Sequence, residues 1–225
     1  MNILAIGPHP DDVEIGMGGT ILALRAQGHT VTICDLTDGE PTPIGTPERR
    51  AREALDAAAV LGVERITLDL PNRYLTDTIE HREKVATVIR RLRPEILFVP
   101  YWVDAHPDHV AAAALAEASR FYAKLTRTAM PGDPFYPRRV LHFLSTHYRL
   151  AVQPSVVFDV SPYFETKMRA VRAYASQFGA ERQNEWIFDM IRVENQYFGG
   201  LIGVAYGEPF VSRELIGLRS LDQFV

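Results

Sequence analysis

The stretch GPHPDDVEIGMGGT, residues 7–20, decides how the rest of the chain is read. It follows a short apolar run, Asn2–Ile6, which reads as a buried strand closed by Gly7-Pro8. It then crowds a histidine, two adjacent aspartates and a glutamate in front of Gly16, Gly18 and Gly19. A second stretch, DAHPDHV at 104–110, repeats the pattern after another apolar run, Ile96–Val99. Two His-Pro-Asp cores, each between a strand and a helix, are the features a fold and a function must explain.

Strand-like and helix-like segments alternate around them. Thr30–Leu36 and Arg65–Leu68 read as strands. Gly18–Gln27, Pro47–Leu61, Thr78–Leu92 and Pro107–Leu125 read as helices. Thr46 is placed as an N-cap, Pro47 at the first helical position and Gly62 as a stop. This alternation implies parallel βαβ units. After residue 126 the pattern changes: strands at Val140–Ser145 and Ser155–Val160, helices at Pro162–Tyr174 and Glu185–Tyr197, and an extended Leu201–Val211. The expected fold is α/β, a Rossmann-like three-layer α/β/α core with a mostly parallel sheet and a C-terminal α+β elaboration. No linker, repeat or low-complexity tract divides it, so one domain over 1–225 is expected.

Bulk properties narrow the function. Net charge is −4 with both signs interspersed, which argues against a phosphate-backbone partner. No run of about 18 apolar residues exists, so no membrane span is expected. Cys34 is the single cysteine, which excludes an internal disulfide framework and fits a reducing cytoplasm. The start MNILAIGPHP lacks a basic segment and reaches Pro8 too soon for a signal peptide.

In an open parallel sheet, both motifs fall at the carboxyl edge of the strands, where ligands bind at a topological switch point. Proline favours the second position of a type I turn, which brings its first and fourth residues together. His9 and Asp12 then converge, while Asp11 aims elsewhere. The same turn in His106-Pro107-Asp108-His109 offers one or two imidazoles. Imidazole and carboxylate donors suit Zn²⁺, and three protein ligands with an open position mark a catalytic site. Such a set also suits Fe²⁺. Asp11, beside the metal, can take a proton from a water that the cation acidifies. His106, where it is not a ligand, can stabilise an oxyanion or protonate a leaving group, with Asp108 holding its ring. One such motif alone reads as a turn and helix cap; two at matching positions favour a metal. The glycines lack dinucleotide-loop spacing and read as points of close backbone approach. Glu14 reads as a helix-start charge or outer acceptor, His142 as structural, and His147 as a loop residue for which a place in the site is the weaker of two readings.

These residues resemble the LmbE-like / PIG-L family of metal-dependent N-deacetylases. The matching pieces are AIGPHPDDVEIGMGGT at 5–20, DLTDGE at 35–40, GTPERR at 45–50, RLRPEILFVPYWVDAHPDH at 91–109, SQF at 176–178 and YFGGLIGVAYGEPF at 197–210. The last is similar to a subgroup that includes deacetylases of N-acetylglucosaminyl-malate. The resemblance implies removal of acetyl from an N-acetylglucosamine-type small molecule. It also implies His9, Asp12 and His109 as zinc ligands, Asp11 as general base, and His106 as oxyanion or acid group oriented by Asp108. Arg50 and Tyr197 are the implied substrate contacts, and a homo-oligomer, trimer or hexamer, is the implied assembly. The loop PTPI at 41–44 and Glu194-Asn195-Gln196 depart from the subgroup by lacking positive charge, which leaves the aglycone unassigned, an anionic one such as malate included. An amidase of sugar-thiol conjugates, a non-catalytic sugar or nucleotide binder and a two-metal phosphoesterase are the competing readings.

Overall fold

A computed structural model describes residues 1–179 and 182–217. Its strands are β1 (Asn2–Gly7), β2 (Thr30–Asp35), β3 (Glu64–Thr67), β4 (Ile96–Pro100), β5 (Arg139–Phe143), β6 (Val156–Asp159) and β7 (Gly207–Val211). Its helices are α1 (Asp12–Ala26), α2 (Pro47–Leu61), α3 (Ile79–Leu92), α4 (Pro107–Ala123), α5 (Phe164–Arg172), α6 (Ala175–Phe178) and α7 (Trp186–Leu201). The strands form one sheet in the order β3-β2-β1-β4-β5-β7-β6. The first five run parallel, and β7 pairs antiparallel with both β5 and β6. The C-terminal elaboration therefore extends the same sheet.

Strand periodicity builds the three layers. Side chains alternate across a strand, so Ile3 and Ala5 of β1 enter one apolar cluster with residues of α1, α2, α5 and α7. Leu4 and Ile6 enter the other, against α3 and α4. β2 and β4 are split in the same way, which is why these strands are buried on both faces. Thr46 caps α2 by accepting from Arg49 N–H, and Gly62 ends it at φ 66°. Thr78 caps α3 through His81 N–H. The α2 ends match the sequence expectation, whereas Thr78, read as the first residue of its helix, is its cap.

Three elements differ from it. First, α1 starts at Asp12, not Gly18. The glycines are not helix breakers but contact points: a Cβ on Gly19 would lie 2.7 Å from Val160 Cβ. Met17 leaves helical geometry (φ −151°, ψ 20°), so the second half of α1 begins anew. Its freed N–H groups on Gly19 and Thr20 donate to the Glu208 carboxylate at 2.9 and 2.6 Å. Lys167 Nζ, fully buried, balances that carboxylate at 2.6 Å. Second, α7 runs on to Leu201, and only Gly207–Val211 of the expected extended stretch is strand. Gly199 stays helical because it lies against the Tyr206 backbone, where a Cβ has no room. Third, α6 is a four-residue helix that no periodicity announces.

In this order the chain leaves β1 toward β2 on one side and returns to β4 on the other. The switch point is the gap between the carboxyl ends of β1 and β4, and both His-Pro-Asp turns open into it.

Candidate metal centre

The two turns share a sequence pattern but differ in conformation. After β1, His9-Pro10-Asp11-Asp12 is closed by Asp12 N–H donating to the His9 carbonyl at 3.4 Å. Asp11 has φ 123°, ψ −32°. A positive φ at the third residue belongs to type II turns and not to the expected type I. That conformation costs a non-glycine residue about 1–3 kcal/mol, and such strain clusters at functional sites. It is held by Arg50 from α2, whose Nη2 donates to the Pro10 carbonyl and to Asp11 Oδ2, the latter at 2.8 Å. After β4 the second turn runs directly into α4, with His106 as its N-cap: Nδ1 accepts Asp108 N–H at 3.2 Å.

Three buried groups converge between the turns. Ligand-capable atoms of His9, Asp12 and His109 all lie within 4.8 Å of one another. His9 Nδ1 faces Asp12 Oδ2 at 3.2 Å, and His109 Nε2 faces Asp12 Oδ1 at 3.4 Å. Each ring turns its other nitrogen to a carboxylate outside the cluster: His9 Nε2 to Asp108 at 3.2 Å and His109 Nδ1 to Asp104 at 2.6 Å. Outer carboxylates of this kind fix the ring and tautomer of metal-binding histidines. Ser145 Oγ adds a hydrogen bond to Asp12 Oδ1 at 2.9 Å. The donor set, its burial and its outer carboxylates fit a divalent cation of the zinc type.

The electrostatics agree. Burial opposes charge on His9, yet its bonds to Asp108 and Asp12 outweigh it and raise the pKa from 6.5 to about 10. Burial pushes Asp12 up, but His109 and His9 hold it well below the usual carboxylate range. Burial raises Asp11 from 3.8 to about 6, against the pull of Arg50. Burial and the neighbouring His109 and His9 lower His106 from 6.5 to about 4, so its ring is neutral at pH 7. Because Nδ1 of that neutral ring accepts a backbone N–H, its proton is on Nε2.

These groups form the floor of a cavity of about 370 Å³, lined also by Arg50, Ser145, His147, Gln177 and Trp186. His9, Asp11, Asp12, His106 and His109 come together there as the sequence placed them. Asp108 is close but turned: its carboxylate holds His9 Nε2 and accepts the N–H groups of Arg73 and Leu75 at 2.6 and 3.2 Å. The expectation that it orients His106 is corrected, because α4 directs its side chain back toward the first turn. Arg50 is buried behind Asp11 and serves that carboxylate. Tyr197 is not brought to the site: it is 62% exposed on α7, with its ring against Phe198.

Sequence reasoning missed Ser145 as a member of the site, gave Asp104 only as an extra ligand in the two-metal reading, and held a site role for His147 as the weaker reading. His147 lines the cavity, its ring centroid 5.1 Å from that of His109, and its N–H donates to Asp104 Oδ1 at 2.8 Å. Asp104 was legible from its place in DAHPDH. Ser145 and His147 follow β5 and carry no motif; only the β4–β5 pairing puts them there. Glu14 is fully buried and joins Arg65 (2.5 Å) and the Tyr174 hydroxyl (2.8 Å), an anchor behind the site. His142 is structural, between the Pro100 carbonyl and Glu117.

A doubly wound sheet with two imidazoles, one carboxylate and an adjacent acid paired with Arg50 at its switch point defines a class of α/β enzymes with a candidate metal site. The chain belongs to the PIG-L family, described as GlcNAc-PI de-N-acetylase, which matches residues 4–119. It is 34% identical over 92% of its length to a diacetylchitobiose deacetylase of Thermococcus kodakarensis, 80% of which is covered. It is 30% identical to a probable N-acetyl-alpha-D-glucosaminyl L-malate deacetylase 2 of Bacillus anthracis, covering 80% of this chain and 83% of that one. The crystal structure of a conserved protein from Thermus thermophilus superposes with TM-score 0.89 at 36% identity, covering 96% of this chain and 97% of that one. Among the described residues no helix is long and apolar enough to cross a membrane.

Proposed function

We propose that this protein is a zinc-dependent deacetylase of a small molecule containing N-acetylglucosamine. The observation that carries the reading is the His9–Asp12–His109 cluster with the Asp11 carboxylate beside it at a cavity floor. The relatives that act on acetylated amino sugars support the substrate class. Zinc held by His9, Asp12 and His109 would supply Lewis-acid polarisation of the acetyl carbonyl and a more acidic water.

The chain's own residues do the rest. Asp11 takes the proton of the attacking water, its carboxylate aimed by Arg50 and its pKa of about 6 matched to a base working near neutrality. His106 donates from Nε2 to the acyl oxygen as negative charge develops there. Its low pKa favours this neutral donor role over that of a cationic acid. Asp11 then returns the proton to the departing nitrogen. The carbon–nitrogen bond breaks, and acetate and a free amine result. We read the chain as one domain of a cytoplasmic homo-oligomer, supported by the lone Cys34 and by the family resemblance.

The test is acetate and amine release from N-acetylglucosamine, its malate glycoside, diacetylchitobiose and an inositol glycoside, with a chelator-treated control. Metal-dependent acetate from any member supports the reading. No acetate from any, with metal bound in stoichiometric amount, overturns it in favour of an amidase acting on a larger acyl group.

A further inference from the structure

We propose that Trp186 is a stacking platform for a second ring of the substrate, so that the preferred substrate is N-acetylglucosamine bearing a pyranose or similarly flat-faced aglycone. This rests on the deacetylase reading and deepens it. Trp186 opens α7 and lines the cavity wall, yet the residue is 52% exposed. A large aromatic left half-open on a cavity wall is a typical anchor for a ligand with one apolar face. The ring is also fixed in advance: its Nε1 donates to Asn184 Oδ1 at 2.9 Å. A preset ring loses little freedom when a ligand stacks on it.

Its surroundings suit a sugar. The Arg149 guanidinium lies over the indole, 5.6 Å from the ring centroid, and both residues line the cavity, so a stacking sugar takes the place of that cation–π contact and meets the guanidinium at its rim. Ile187 and Met190 extend the apolar side, while Asn184 and Gln177 supply polar edges. A pyranose has a C–H face and a rim of hydroxyls. The indole fits the first, and Arg149 with the two amides fits the second. The reacting acetamide belongs at the His9–Asp12–His109 cluster, of which Trp186 is not a member, so the group on the indole is the aglycone. A short anionic aglycone would use the arginines that line the cavity, Arg73, Arg149 and Arg182, and leave the indole face bare.

The chain has two tryptophans, Trp102 and Trp186. Trp102 packs against His142 and Arg213, away from the cavity lining. Protein labelled with 5-fluorotryptophan therefore gives one fluorine resonance per residue, assigned with Trp186→Phe. Diacetylchitobiose added to chelator-treated protein is expected to shift the Trp186 resonance and leave that of Trp102. In the zinc-loaded enzyme, the kcat/KM ratio of diacetylchitobiose to N-acetylglucosamine is expected to fall about tenfold in Trp186→Ala and to recover in Trp186→Tyr. An unmoved resonance at saturating disaccharide, or an unchanged ratio in Trp186→Ala, overturns the proposal. So does a Trp186→Ala variant that only changes oligomeric state, since a second copy then covers the ring. Absence of acetate from both sugars with the resonance still shifting counts against the deacetylase reading and not against the platform.

Discussion

After β1, His9-Pro10-Asp11-Asp12 bends back with Asp11 at φ 123°; after β4, His106-Pro107-Asp108-His109 passes straight into α4. The third residue of each is an aspartate, yet the two do opposite work. Asp11 lines the cavity and is clamped by Arg50. Asp108 is turned away from it and holds His9, a member of the other turn. The first residues differ likewise: His9 joins the metal cluster, while His106 caps a helix and keeps one nitrogen for the cavity. Backbone conformation, not residue type, separates a carboxylate that lines the cavity from one that positions a ring. The second turn also braces the first, so the halves of the site are interdependent although they follow separate strands.

Replacing the two aspartates tests this contrast most strongly. Asp11→Asn is expected to lower kcat about 10²–10⁴-fold with metal content unchanged. Acetate release and metal analysis on one preparation check it; full turnover would abolish the distinction between the turns. His106→Ala is expected to cost about 10²–10³-fold in kcat, as loss of one oxyanion donor does. A pH profile with the same acidic limb as the wild type would separate this role from that of a titrating acid. Asp108→Asn is expected to weaken metal affinity about 10–100-fold, with a smaller change in kcat once metal is saturating. Competition with a chromogenic chelator measures it. If Asp108→Asn instead behaves like Asp11→Asn, the two aspartates share a role.

Proton linkage sharpens the contrast further. His9 is raised above its unfolded value to about 10, so its contribution to the stability of chelator-treated protein is full below about 6.5. That contribution is lost as pH rises through about 10. A metal must displace the same proton, so binding is expected to release it and to tighten as pH rises. Calorimetry in buffers of different ionisation enthalpy measures the release; none at about pH 7 would contradict the His9 pairings. The smallest effect is structural: Gly19→Ala is expected to destabilise by about 1–3 kcal/mol through its clash with Val160, read from denaturant unfolding.

Much of this is legible in the sequence. Apolar runs of strand length, the cap at Thr46 and the stop at Gly62 depend on local chemistry, so the parallel half of the sheet follows from the chain alone. The two motifs and their place after strands also follow, because turn and donor chemistry are local. The glycines of α1 read as points of close backbone approach, but which neighbours approach, Phe143 at Gly16 and Val160 at Gly19, only the packing decides. Tyr197 was misplaced because its position on a motif says nothing about the direction of its side chain, which the packing of α7 sets outward.

What the sequence determined by itself is thus the α/β alternation, the donors and their addresses. Only the tertiary structure decided that Asp11 lines the cavity while Asp108 braces His9, that Ser145 and His147 join from the end of β5, and that Arg50 clamps Asp11. The reason is one of range. Hydrogen-bond caps and hydrophobic period act over a few residues, whereas these contacts span tens of residues and exist only once the sheet has paired β1 with β4 and β4 with β5.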